Sequence, residues 1–182
     1  MNQEQPNTET IVSSLCRRIA TLETLLLTTK YRQQLKEASN DVASPSTSPV
    51  QDRGTKAPNA KQFTFFFDDA VKSATLDYNQ FFMRFQKAGI DYGVYAHFSL
   101  LLKKVMLKRK NKIDKKNFRS IMAACLFISI KFVVDRFVLF IDDFVRLSGM
   151  NRKNIEVLET GILVNILGFD VNFSEQEIIR EL

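Results

Sequence analysis

The densest apolar stretch of the chain, residues 118–137 (FRSIMAACLFISIKFVVDRF), is hydrophobic almost all round and carries one lysine, Lys131. Ile121, Met122, Cys125, Ile128 and Phe132 recur at the three-and-four spacing of one helical face, while Ala123, Ala124, Leu126, Phe127 and Ile130 cover the others. A helix apolar on every side has to lie inside other elements, so this stretch predicts a central helix, with Asp114 as its cap. It does not predict a membrane span: the run falls short of roughly 20 apolar residues and is broken by Lys131 and then by Asp135 and Arg136.

The same spacing places helices on both sides. Residues 10–38 carry the stripe Val12, Leu15, Ile19, Leu22, Leu26, with Asn7 or Thr8 to cap it. The stripe fades after Leu26, too early for a sustained coiled coil, and leaves two uses: docking on the chain's own domain, or recruiting a further protein. A Phe-dominated segment from Phe63 to Gly89 (Phe65, Phe66, Val71, Ala74, Leu76, Phe81, Phe82, Phe85) predicts a helix with a break near Thr75 to Tyr78. Val94, Tyr95, Phe98, Leu101, Leu102 and Val105 predict the next, from about Asp91 or Tyr92 to Lys108, with His97 at its surface or boundary. After the central helix, a short one is expected over 138–147, with Phe140, Ile141, Phe144 and Val145 inward and Gly149 as its stop. Another, capped by Asn151, buries Ile155, Leu158, Ile162, Leu163 and Ile166 and ends near Gly168; Ser174 and Glu177 form a capping box for a last one over 174–182.

Composition divides the chain. Residues 39–62 are Ser-, Thr-, Pro- and Lys-rich with scarcely an apolar side chain, too little to offset the entropy of folding, and are expected to be a disordered linker between an N-terminal extension (1–38) and a globular domain (63–173). Ser44-Pro45 and Ser48-Pro49 in it match the minimal proline-directed phosphorylation pattern, a dipeptide common in such tracts. All four prolines precede residue 59, as a set of packed helices downstream requires.

The net charge of +6 is concentrated between Lys103 and Arg119, where nine cations meet a single acid, Asp114. A solvated helix end, a nuclear-import signal in KRKNK and a phosphate-binding patch all fit that pattern, although no aromatic residue interleaves it to stack bases. Two distant cysteines, Cys16 and Cys125, suit a reducing intracellular setting, nucleus or cytoplasm, and only Cys125 lies on an all-round apolar helix, so Cys16 is expected to be the more accessible. The N-terminus lacks a basic start and an apolar signal core. No phosphate-cradling glycine loop, nucleophile elbow or clustered metal ligand is present, so no catalytic residue, metal or cofactor is assigned and a binding role is expected.

The segment AACLFISIKFVVD (123–135), the Ser-Gly turn that follows and EVLETGILVNILGFDV (156–171) resemble a cyclin box, covering Phe81 to Val171 with FFMRFQKAGID as its first helix. Among cyclins the chain is most similar to the short single-box phosphate-regulating (P/U) type. The resemblance implies an all-α domain of five helices and a non-catalytic subunit that binds and activates a cyclin-dependent protein kinase. Family members do so through a lysine ending the third helix and a glutamate early in the fifth, matched here by Lys131 and Glu159. Counting back from GFDV places the acid at Thr160 instead. The family's apolar contacts carry over to Phe132, Phe169 and Val171. Cyclin-like boxes of transcription factors imply a rival use on nucleic acid through 103–119, and a purely structural module with an incidental Lys131 is a third.

Overall fold

The computed structural model describes residues 8–40, 60–109, 113–134 and 140–181. Helices are the regular structure throughout, with no strand among the described residues: α1 (Thr8–Asn40), α2 (Ala60–Lys87), α3 (Tyr92–Lys108), α4 (Lys115–Val133), α5 (Ile141–Ser148), α6 (Arg152–Thr160), continued by a π-helical segment Gly161–Leu167, and α7 (Glu175–Glu181).

Local chemistry fixes most of the boundaries. Asp114 accepts from the Asn117 N–H at 3.1 Å while Asn117 Oδ1 accepts from the Asp114 N–H at 2.9 Å, a reciprocal cap that starts α4. Asp91 caps α3 by accepting from Val94 N–H, and Asn151 caps α6 by accepting from Lys153 N–H. Gly149 ends α5 in the left-handed conformation at φ +70°, where a Cβ would be strained. Ser174 and Glu177 close the capping box of α7 from both sides.

Helix α4 is the hub. All ten residues from Ile121 to Ile130 are buried, and the helix packs against α3, α6 and α1. It is shorter than the apolar run suggested, since Val134 is its C-cap and residues 135–139 lie outside the described part of the chain. Around it α2 supplies Phe82 and Phe85, and α3 supplies Tyr95 and Phe98, whose rings meet edge-on or tilted near 5.7 Å (Phe82 on Tyr95) and 5.6 Å (Phe82 on Phe98).

Three expectations are corrected here. No break interrupts α2: Thr75 hydroxyl donates to the Val71 carbonyl at 2.6 Å, satisfying the polar group within the helix, and the phase turns Tyr78 inward while Leu76 is exposed. The short helix after the hub begins at Ile141, with Phe140 as an exposed N-cap residue rather than a core side chain. The tract expected as linker is helical at its edges, through Asn40 and from Ala60; its remainder, including Ser44 and Ser48, lies outside the described residues.

Helix α1 docks on its own domain, most extensively on α2, burying Val12, Leu15, Cys16, Ile19 and Ala20. Glu23 is buried with them, accepting from the Tyr78 hydroxyl at 2.9 Å and from Arg119 Nε at 3.2 Å. Cys16 is therefore not the accessible cysteine expected: both Cys16 and Cys125 have 0% exposure. Burial pushes the Cys16 thiol up to about 12 and raises Cys125 as well, so neither offers a thiolate at neutral pH. In the native protein both should resist alkylation, followed by mass spectrometry, until denaturant is added; rapid labelling of Cys16 alone would mean that α1 is undocked.

Candidate functional site

The packing of α4 on α6 brings together two residues 28 positions apart in sequence. Lys131, in the last turn of α4, places its ammonium 2.5 Å from Glu159 Oε1 and 5.3 Å from the centre of the Phe127 ring. The lysine side chain is 41% exposed and the glutamate 15%, so the pair sits at the rim of the core, with the ammonium reaching water.

Thr160 is exposed and takes no part in this pair. Between Glu159 and Gly168 the helix is not α-helical throughout. A π-helical turn accommodates one more residue than an α-helical turn. The π segment Gly161–Leu167 lies between the two landmarks, and the acid that meets Lys131 is Glu159.

The predicted apolar contacts divide. Phe132 is 48% exposed beside Lys131, and Phe169 is 64% exposed just after Gly168. Gly168 and Phe169 both take the left-handed conformation, at φ +59° and +61°, held by Phe169 N–H donating to the Leu163 carbonyl at 2.8 Å. A left-handed bulky residue costs on the order of 1 kcal/mol. Val171 is different: its side chain is buried in the core and is not offered to a partner, which corrects its assignment as a contact residue.

Sequence reasoning missed the residue that ties these parts together. His97, expected at the surface, is buried, because it lies three residues after Val94 and four before Leu101, on the apolar face of α3. That spacing was the available signal. Nδ1 lies 2.9 Å from Ser129 Oγ on α4 and Nε2 lies 3.0 Å from the Val171 carbonyl. The ring stacks on Phe132 at 5.2 Å and 25°, and meets Phe173 edge-on at 5.1 Å.

Burial pulls the His97 imidazole below its ordinary value, opposed by its hydrogen bond to the Val171 carbonyl. The unfolded chain then binds a proton that the native state refuses, so stability is full above about pH 6.5 and falls as pH drops below it towards the folded value. Glu181 and Asp170 act in the same direction at lower pH: burial works against it, but Lys103, Ser99 and Arg18 hold the Glu181 carboxyl low, and Lys104 holds that of Asp170 low. Their contribution is lost only as pH falls below the ordinary carboxylate range. Because the chain has one histidine, urea unfolding midpoints measured between pH 7.5 and 5.5 should fall with acid in the native sequence and stay level in His97→Gln.

Among the described residues, four of the nine cations of the basic segment have partners within the molecule. Lys103 pairs with Glu181, Lys104 with Asp170 at 2.7 Å, and Arg119 with Glu23 and Asp77. Arg109 donates to the Asn165 carbonyl at 3.2 Å. No group of three or more metal-ligating side chains occurs among the described residues, and none of their helices is long and apolar enough to cross a membrane. Comparison of the chain with family models, with curated proteins and with solved structures finds no match.

Proposed function

We propose that the chain is a cyclin-like regulatory subunit of the phosphate-regulating type, with one cyclin box over Phe81 to Val171, intracellular, and without catalytic chemistry of its own. Its third and fifth box helices, α4 and α6, bind a cyclin-dependent protein kinase and favour the kinase's active state. The observation that carries this reading is the Lys131–Glu159 pair at 2.5 Å, two charges from separate helices, with the exposed ring of Phe132 next to the lysine and a second exposed ring, Phe169, after the helix that carries the glutamate.

A charged pair inside an apolar rim fixes the orientation of a partner helix, since the rings supply burial and the charges supply register. Phe169 supports the reading further, because a strained backbone that displays a large ring to water has two costs and no benefit to the isolated chain. Activation then needs no new chemistry. A kinase whose regulatory helix is swung out lacks its internal Lys–Glu ion pair, and a subunit that binds only the swung-in state shifts the population by its differential affinity, about 1.4 kcal/mol for each tenfold preference.

The rival use on nucleic acid would rest on the remaining cations of the segment, since Lys103, Lys104 and Arg119 have internal partners. The test is to mix the purified chain with a panel of purified cyclin-dependent kinase catalytic subunits and measure complex formation and peptide phosphorylation. Stoichiometric binding with a rise in activity for one of them is expected. Binding to none, together with affinity for duplex DNA that falls steeply from low to high salt, would transfer the function to the basic segment.

A further inference from the structure

We propose that His97 is the positioning residue of this face: one imidazole holds the Phe132 ring and the chain at Val171 together and makes partner binding proton-sensitive, a role that rests on the reading of the Lys131–Glu159 face as the partner site. Phe132 belongs to the end of α4, while Val171 follows the turn that displays Phe169. The imidazole touches both, stacked on the Phe132 ring and bonded to the Val171 carbonyl, and is anchored to α4 through Ser129.

Hydrogen-bond accounting sets the tautomer. A carbonyl only accepts, so Nε2 carries the hydrogen that reaches Val171, and in the neutral ring Nδ1 is bare and must accept from the Ser129 hydroxyl. That hydroxyl has one proton and two acceptors, His97 Nδ1 at 2.9 Å and the Cys125 carbonyl at 2.9 Å. In the neutral state the proton goes to the ring. When the ring gains a proton, Nδ1 donates to Ser129 Oγ, and the hydroxyl turns to Cys125 without any heavy atom moving. Both states keep the two hydrogen bonds of the ring, the Ser129 hydroxyl proton serving Cys125 only in the charged state, and the ring itself differs in charge.

The charge is poorly placed for a covered site. The imidazolium lies under Phe132, one residue from the Lys131 ammonium, whose carboxylate partner is Glu159. Its two hydrogen-bond partners, Ser129 and Val171, are uncharged. On α3 itself Lys103 and Lys104 are engaged by Glu181 of α7 and by Asp170, and Glu177 of α7 is bonded to Ser174. A partner laid over Phe132 would remove the remaining water from the ring stacked on His97, so the proton opposes docking and docking expels the proton, the two effects being equal by linkage.

The test uses the full chain and its single histidine. Long-range nitrogen NMR at pH 7.5 should show Nε2 protonated and Nδ1 bare, and the ring signals of Phe132 and Phe169 should follow the same titration as His97. Affinity for a purified cyclin-dependent kinase catalytic subunit should fall at least about twofold between pH 7.5 and 5.5, since the proton taken up by His97 of the free chain competes with docking. His97→Gln keeps a donor directed towards Val171 but gains no proton, and should lose that pH dependence. His97→Phe keeps the stack and loses both hydrogen bonds, and should bind several-fold more weakly than His97→Gln. An Nδ1–H tautomer, ring signals that stay still while His97 titrates, or an unchanged pH dependence in His97→Gln would each overturn the proposal. If no kinase binds the native chain at any pH, the partner reading fails, while the ring signals still decide whether His97 positions the face.

Discussion

Arg119→Ala is expected to destabilise the fold by about 3 kcal/mol, more than its own half-exposed position suggests, because the damage falls on Glu23. Glu23 has a side-chain exposure of 5% and two hydrogen-bond partners, Arg119 Nε and the Tyr78 hydroxyl. Removing the guanidinium leaves a carboxylate buried between α1 and α2 with one neutral donor, whereas a guanidinium left behind by Glu23→Ala can rehydrate from its exposed side. The order Arg119→Ala worse than Glu23→Ala is therefore the expected signature. Adding Glu23→Gln to Arg119→Ala should recover part of the loss, since a neutral amide can still accept from Tyr78 and carries no charge to bury. Urea unfolding of the native chain, Arg119→Ala, Glu23→Gln and their combination forms a cycle that checks this, with Glu23→Ala measured beside it. Additive effects, or a loss under about 0.5 kcal/mol for Arg119→Ala, would mean that α1 is held by its apolar face alone.

That network also shows where the sequence could and could not be read. The caps at Asp114, Asn151 and Ser174–Glu177 are local, set by residues two or three apart, and their residue types announce them. The burial of α4 follows from its being apolar all round. Glu23 and Arg119 stand 96 positions apart, and nothing in either neighbourhood marks the other, so a glutamate one step from the stripe of α1 looks like a solvent residue. His97 was misplaced because its polarity outweighed its phase, although Val94 and Leu101 define the face it shares. Lys131 and Glu159 were set side by side only by the resemblance, and the π turn that separates Glu159 from Gly168 has no composition that marks it.

Lys131→Ala is expected to separate stability from binding. The ion pair is partly exposed, so its loss should cost the fold less than about 1 kcal/mol, while a charge desolvated in an interface should cost kinase binding about 2 kcal/mol or more, roughly a thirtyfold loss of affinity. Glu159→Ala should behave likewise, and Thr160→Ala, altering an exposed residue outside the pair, should be nearly silent in both measurements. The reversed pair, Lys131→Glu with Glu159→Lys, distinguishes a binding site from an internal brace. It restores opposite charges at the same two positions, so unfolding midpoints should return close to those of the native chain. A partner whose polar groups fit the original arrangement would meet each charge with the wrong sign, and its binding should remain lost. Recovery of binding along with stability would show that the pair acts only by holding α4 to α6. A large loss of stability in Lys131→Ala would show the same more directly.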